Sequence, residues 1–463
     1  MQQPWLVAGL TVTLAFIVIL SVWSGTGGKA YQRMNLAEMT GFMMGSLIGG
    51  STTVGTAQLA YYYGLSGLWY AVGTGIACLL MVVIYVRPLR RCGMPTLMGL
   101  VRREFGPTAG MLASVLNTVG SFINIVSQIM AATAVLSVAF PSLSLWTASA
   151  LSALFMVLYI LFGGVKGAGL VGVAKTVLIY AAVLLCGALA ISFAGGFSGF
   201  VEMVRGIENP EQVNFFSPVA RGVGTDLGAV LSLILGIFST QTSMTGILNA
   251  QSDRVARGGV LLAGLLIPFV GIGSVLVGLY MRANALAYPG MIAKTALTTF
   301  VAGHIPPLLA GVVLGALFIT AVGGGAGLTL AVVSVVGNDI VGRFTRRVEQ
   351  PAFFQSFSRC AIVAVLALAC CLSTGALGDV IVDLAFLSLG LRAAAVLCPL
   401  WAALYFPGKV DRRFICPAIV AGPVMVLVGK IVGVGFDPLF LGLAASAALT
   451  VLGWLTQHRK PSL

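Results

Sequence analysis

Residues 38–69, from Glu38 to Trp69, read EMTGFMMGSLIGGSTTVGTAQLAYYYGLSGLW. After Glu38 no charged side chain occurs until Arg87, so the stretch belongs inside a lipid bilayer. Its middle is nevertheless a poor membrane helix. Gly49-Gly50-Ser51-Thr52-Thr53 sets two glycines and three hydroxyls where lipid would meet unsatisfied backbone. Irregular backbone at that depth persists only where protein buries it or a cavity reaches it. Carbonyls and amides freed at such a break hold ions and polar solutes, as discontinuous helices do in secondary transporters. The stretch predicts the first broken helix of a transporter.

Composition supports this. Of 463 residues 59% are hydrophobic and 8% charged, whereas about a quarter of a soluble domain is charged. Residues 39–86 and 105–165 contain no Asp, Glu, Lys or Arg. The chain therefore reads as an all-α polytopic membrane protein, since a β-barrel would alternate. Trp5–Val22 lacks a basic leader and reads as a retained helix, not a signal peptide. The eight cysteines lie mostly in apolar segments without ligand spacing, which suits small core residues and predicts neither disulfides nor a metal site. The net charge of +13 is no nucleic-acid footprint. Lys29, Arg33, Arg87, Arg90, Arg91, Arg102, Arg103, Arg254, Arg257, Arg346, Arg347 and Arg412 fall in loops of one side, and few cations face the other. This positive-inside bias predicts a cytoplasmic (inner) membrane protein with an external N-terminus and a cytoplasmic C-terminus.

About thirteen helices are expected, near 4–24, 38–63, 65–86, 107–139, 143–162, 167–193, 225–249, 256–281, 306–337, 358–377, 380–406, 415–433 and 437–457. They form a single transmembrane domain over 1–463, with 1–37 and 407–463 peripheral. Residues 38–193 supply five spans and 225–406 five more; an odd number per unit inverts the second half against the first. The counterpart of the first break is then Phe238-Ser239-Thr240-Gln241-Thr242-Ser243. Gly49–Thr53 and Ser239–Thr242 are expected to be non-helical and to face one another. The connection Ala194–Gly224 reads either as a lid or as a solvated connector.

Several polar groups could carry chemistry. Asn117, Ser121, Asn124 and Gln128 lie at i, i+4, i+7 and i+11, on one helix face. That stripe either hydrogen-bonds neighbouring helices or walls a substrate site. The best substrate ligands are Ser51, Thr53, Thr56, Asn124, Gln128, Thr240 and Gln241. Gly167–Gly172 fits GxGxxG by letter but opens a membrane helix; close helix packing explains it better than a dinucleotide. The run Gly323–Gly327 takes the same packing reading. Lys175 and Arg392 are cations deep in the layout, where charge is costly and usually functional. Asp383 is nine residues from Arg392, on another face. Arg392 either contacts an anionic substrate or braces a gate, and His304 caps a helix.

Val54-Gly55-Thr56-Ala57-Gln58-Leu59-Ala60-Tyr61, then Tyr63-Gly64-Leu65-Ser66 and Trp69, resemble the sodium:solute symporter family. Weaker echoes run through Gly163–Lys175, Thr240–Gly259 and Leu308–Ile340. The resemblance implies the leucine-transporter-type fold, a five-plus-five inverted repeat with broken first and sixth core helices. It also implies a sodium site at Gly49 and Thr52 of the first core helix and at three positions of the eighth. Counted back from Asn338-Asp339-Ile340, those are Thr320, Gly323 and Gly324, so two hydroxyl ligands are absent. In the fifth helix the family's supporting aspartate falls on Gly172 and a following glutamine on Lys175. The ion site is thus degenerate. Lys175 is expected to stand in for sodium by donating to the carbonyls of Gly49, Thr52 and Thr320, unless it snorkels to the interface. A proton is the alternative coupling ion.

The chain therefore reads as a secondary transporter of a small polar organic solute working by alternating access, sodium-independent (proton-coupled, an exchanger or a uniporter), embedded in the lipid bilayer as a monomer or weak homodimer. No cofactor, metal or nucleic acid is implied. Rival readings are a sodium-coupled symporter with a remodelled site and a membrane-embedded sensor, against which nothing of domain size follows residue 457. An enzyme would need clustered His, Asp or Glu at membrane depth, and the sequence has none.

Overall fold

The structure, a computed structural model, describes residues 3–458 except 27–32, 95, 208–211, 346–349 and 376–379, and the backbone alone of 3, 18, 20–26, 162–171, 343, 351 and 458. Helices follow in the order α1 (Gln3–Thr26), α2 (Leu36–Leu47), α3 (Thr56–Tyr63), α4 (Trp69–Ile84), α5 (Val86–Cys92), α6 (Leu97–Phe105), α7 (Pro107–Ala139) and α8 (Leu145–Phe193). Then come α9 (Gly196–Arg205), α10 (Val223–Phe238), α11 (Gln241–Asn249), α12 (Asp253–Ala283), α13 (Ala296–His304) and α14 (Pro307–Val335). The chain ends with α15 (Gly342–Phe344), α16 (Pro351–Ser373), α17 (Ile381–Tyr405), α18 (Arg412–Val432) and α19 (Leu439–His458). Among the described residues nine helices are long and apolar enough to cross a membrane, ten if α10 and α11 count as one bent span.

Local sequence sets the helix ends. Asn35 and Glu38 form a capping box at the start of α2, satisfying two amides that the first turn leaves free. Ser144 and Ser252 cap α8 and α12, and proline opens α7, α14 and α16, where its missing N–H is no loss. The expected break between 143–162 and 167–193 is absent: α8 is one helical element. No proline interrupts its backbone ladder. Straight, it would run about 74 Å, over twice a hydrocarbon layer. Yet the side chains of Tyr159 and Lys175 both reach Gly323, although residues 16 apart on a straight helix lie about 24 Å apart. The helix is therefore bent.

Small residues bring the helices together, as expected where lipid offers no hydrophobic driving force. A Cβ at Gly172 would lie 2.3 Å from the Gly41 carbonyl, and one at Gly311 2.0 Å from that of Leu6. Gly273 meets Val183 of α8 and Gly278 meets Ala57 of α3 just as closely. The described end of the GxGxxG letters, Gly172, is thus a packing glycine between α8 and α2. All eight cysteines are unpaired; Cys78, Cys186 and Cys370 are buried, but Cys360 and Cys371 are exposed, so only part of the set serves the core. Ahead of α2, Met34 forms an isolated bridge to Ala250, after α11, through Met34 N to Asn249 O at 2.8 Å and Gln251 N to Met34 O at 3.0 Å.

Gly172→Val is expected to lower the thermal unfolding midpoint in detergent by several degrees, because overpacking costs about 1–3 kcal/mol. Gly303→Ala, at a helical glycine with nothing within 4 Å, should leave it unchanged or slightly higher.

Candidate functional site

The first break begins where α2 stops. Ile48 is extended (φ −85°, ψ 105°) and Gly49 and Gly50 are non-helical. The chain resumes as a π-helical turn over Ser51–Gly55 before α3. The irregular segment is therefore 48–50, one residue ahead of the expected Gly49–Thr53. Hydroxyls explain the wide turn: Thr53 Oγ1 donates to Gly49 O at 3.2 Å, and Thr56 Oγ1 to Ser51 O at 3.3 Å. Ser51, Thr52, Thr53 and Thr56 all turn to the break's own backbone or to neighbours, and line neither cavity described below.

Two side chains from other helices complete the break. Gln128 Oε1 accepts the freed Gly50 N–H at 2.7 Å, while its Nε2 donates to Ser51 Oγ at 3.2 Å and Asn124 Oδ1 at 3.3 Å. Ser51 Oγ also meets Ser127 Oγ at 2.9 Å, and Ser127 donates to Ile381 O of α17 at 2.9 Å. The polar face of α7 thus braces the break. At the carbonyl end Lys175 Nζ, 2% exposed, donates to Gly45 O at 2.7 Å and Ile48 O at 3.0 Å. The expected acceptors, the carbonyls of Gly49, Thr52 and Thr320, are not the ones used. Close packing of Gly172 on Gly41 and Gly45 sets Lys175 beside the last turn of α2, whose carbonyls lack helical partners. Thr320 instead turns its hydroxyl to Ala316 O at 2.6 Å. The glycine run of α14 makes room: a Cβ at Gly323 would be 3.2 Å from Lys175 Nζ, and one at Gly324 3.1 Å from Gln128 Oε1.

The second break is shorter than expected. α10 and α11 meet at 47° across Ser239 and Thr240, and Gln241 and Thr242 already belong to α11. Ser239 and Thr240 hydroxyls bond back to Leu235 O at 3.1 Å and Gly236 O at 2.7 Å, satisfying carbonyls that the stopped helix leaves open. Gln241 Oε1 accepts the Leu97 N–H at 2.9 Å, so this expected substrate ligand ties α11 to α6. Arg392, 1% exposed, reaches the break from α17: Nη1 donates to Thr240 Oγ1 at 2.9 Å, Nε to Ser388 O at 3.2 Å and Nη2 to Ser388 Oγ at 3.2 Å.

Both breaks border one small cavity of about 40 Å³, lined by Gly49, Tyr70, Thr74, Asn124, Gln128, Thr240, Thr242, Gly324 and Arg392 among others. A vestibule of about 1130 Å³ adjoins it through Ser46 and Thr242. Lys175, Gln241 and Gly323 line the vestibule, and Arg102 and Arg103 stand at its exposed mouth. Tyr70 and Thr74 lie outside the expected ligands; Thr74, the one hydroxyl residue in 71–84, is the signal the sequence offers.

The opposite end is covered by the connection before α10. Leu65 N donates to Phe215 O at 2.9 Å, and Gly64 (φ +60°) has no room for a Cβ against Phe215. Arg221 Nε pairs with buried Asp226 at 2.7 Å, and its Nη1 reaches Asp383 at 3.5 Å. Asp226 also accepts from Ser66 Oγ at 2.7 Å. Residues 215–222 are therefore tied to the α3–α4 turn, α10 and α17; Glu208, Pro210, Glu211 and Asp379 lie outside the described residues. His304 closes the last turn of α13, its ring stacked on Phe300.

A family model described as the sodium:solute symporter family matches residues 30–411. The uncharacterized symporter YwcA of Bacillus subtilis (strain 168) is 25% identical over 432 residues, 89% of this chain and 82% of its own. A Na+-coupled sialic acid symporter, solved substrate-bound and outward-open, superposes with a TM-score of 0.78 at 16% identity, over 99% of this chain and 98% of its own. Mhp1, a nucleobase-cation-symport-1 family transporter solved closed with bromovinylhydantoin bound, gives 0.61 at 12% identity, over 94% and 96%. At these identities the two structures establish a shared fold.

Gln128→Ala strands the Gly50 N–H and should destabilise the protein by about 1–3 kcal/mol in denaturant melts. Arg221→Ala should raise hydrogen exchange of residues 215–222 at least tenfold, an effect of about 1.4 kcal/mol in local opening; unchanged exchange would remove that tie.

Proposed function

The chain belongs to the sodium:solute symporter family, and from that premise we propose that this secondary transporter moves a small polar organic solute without sodium. It is a multi-pass membrane transporter and not an enzyme. The observation that carries the sodium-free reading is the Lys175 ammonium on the Gly45 and Ile48 carbonyls. A cation already bonded to the freed carbonyls of α2 does there what a bound ion would do: it neutralises the negative end of a broken helix. Gly323 and Gly324, where the resemblance implied hydroxyl ligands, leave no side-chain oxygen for a metal ion and supply the space the lysine fills.

In this reading residues 38–193 and 225–406 are the inverted halves, and the face carrying Arg102 and Arg103 is cytoplasmic by the positive-inside bias. The conformation is then inward-open. The vestibule is the inner path, the small cavity is the solute site, and residues 215–222 seal the outside. Asn124, Gln128 and Thr240 contact the solute together with Tyr70 and Thr74. Ser51, Thr53 and Thr56 hold the break, and Gln241 acts at the inner gate. Because the vestibule reaches Lys175, a proton can pass between its ammonium and water, which makes proton coupling the natural replacement for sodium.

The rival is a sodium-coupled symporter with a remodelled site, favoured by the coupling named for the sialic acid symporter. Thermal unfolding separates the two without a known solute, since a ligand of the folded state raises its stability by mass action. The midpoint should be the same in sodium, potassium and choline chloride, and Lys175→Ala should lower it in all three. For a solute found by thermal-shift screening, liposome uptake should persist when choline replaces sodium and fall at least tenfold in Lys175→Ala, about 1.4 kcal/mol or more. A sodium-specific rise in the midpoint, or uptake that stops without sodium, overturns the proposal.

A further inference from the structure

Among the described residues Arg392 is the largest fully buried side chain, and no described carboxylate lies within 4.0 Å of it. Its partners are Thr240 and Ser388, both neutral. Ser388 is itself engaged, donating to Gly120 O at 2.5 Å. Hydrogen bonds to hydroxyls and carbonyls orient a guanidinium but do not neutralise it, and an unpaired charge is expensive away from water. A brace between α17 and the α10–α11 break could be built from an amide without that penalty. The charge itself calls for an explanation.

The cavity supplies one. A guanidinium has five N–H groups. The bonds to Ser388 and Thr240 use one each on Nε, Nη1 and Nη2, leaving one N–H on each terminal nitrogen. Arg392 lines the small cavity, and no acidic residue shares that lining. The adjoining vestibule carries Lys175, Arg102 and Arg103 against a single carboxylate, Asp339. The path from the mouth to the breaks is therefore cationic, and Arg392 borders its inner end with one N–H unused on each terminal nitrogen. Such a pair matches the two oxygens of a carboxylate. Leu233, Ile237, Leu328 and Leu389 line the same cavity, so the group beyond the carboxylate meets apolar walls as well as Asn124 and Gln128.

We propose that the solute is an organic monocarboxylate whose anionic group pairs with Arg392 between the two breaks. The inference rests on the small cavity being the solute site of the transporter described above. Binding supplies the counter-charge that the protein lacks, so the charge pair accounts for most of the affinity. A solute without the charge leaves Arg392 unpaired.

The test is thermal unfolding of the purified full-length protein with propionate, lactate, pyruvate and benzoate, each beside its uncharged amide, at about 10 mM, where a ligand binding a hundredfold more tightly than that raises stability measurably. At least one carboxylate should raise the midpoint while its amide does not. Arg392→Gln should abolish the shift, and Arg392→Lys, which keeps the charge without the fork, should weaken binding at least tenfold. An amide that binds as well as its acid, a wild type that responds to none of the carboxylates, or an Arg392→Gln protein that still responds overturns the proposal. The wild-type acid–amide comparison stands even if the variants do not fold. Liposome uptake of the same solutes with and without sodium keeps the two readings apart. An amide carried without sodium ends the anion assignment and spares sodium independence; a carboxylate carried only with sodium does the reverse.

Discussion

The fold depends on how the backbone opened at Ile48–Gly50 is satisfied. In a hydrocarbon layer each amide or carbonyl left without a partner costs several kcal/mol. The break survives because two distant helices close it from opposite sides, Gln128 of α7 on the amide of Gly50 and Lys175 of α8 on the carbonyls of Gly45 and Ile48. Each of these long side chains needs a gap in its neighbour. The glycines at 323 and 324 supply it, and Gly172 against Gly41 brings α8 near enough for the lysine to reach. One local irregularity at the end of α2 thus fixes the residue sizes permitted on two other helices, α8 and α14.

Much of this was legible in the letters, and the reasons for the rest are physical. Gly49-Gly50-Ser51-Thr52-Thr53 announced a break because glycine and hydroxyl clusters are incompatible with a lipid-facing helix. The stripe Asn117, Ser121, Asn124, Gln128 identified the α7 face that supports it. Lys175 stood out as a charge at depth. Its acceptors lie a turn earlier than the sequence suggests, because a register counted along one helix says nothing about the height at which a neighbouring helix delivers its side chain. Gln241 looked like a solute ligand by proximity to Thr240, but its amide takes the Leu97 N–H, a contact across 144 residues that no local pattern encodes. The continuity of α8 was also hidden, since glycines signal a break and a bend alike.

The two buried cations play different parts. Lys175 is bonded to backbone carbonyls at the end of a helix, where positive charge is favoured by the helix dipole itself. Arg392 is held by hydroxyls and one carbonyl across the second break, and none of these partners is anionic. The first charge belongs to the scaffold's own balance, and the second is left facing the cavity. Around them the ends of the molecule are asymmetric. Residues 215–222 are held over one end by Arg221, Asp226 and Asp383, while the other end stands open at Arg102 and Arg103.

A diffusible ion occupies its site according to its concentration outside. The ammonium of Lys175 is joined to the chain by four methylene groups, so its local concentration at the Gly45 and Ile48 carbonyls is set by the length of its stem and not by the medium. The helix break is then held in the same way in fresh water and in brine, and no dilution of the surroundings can empty it.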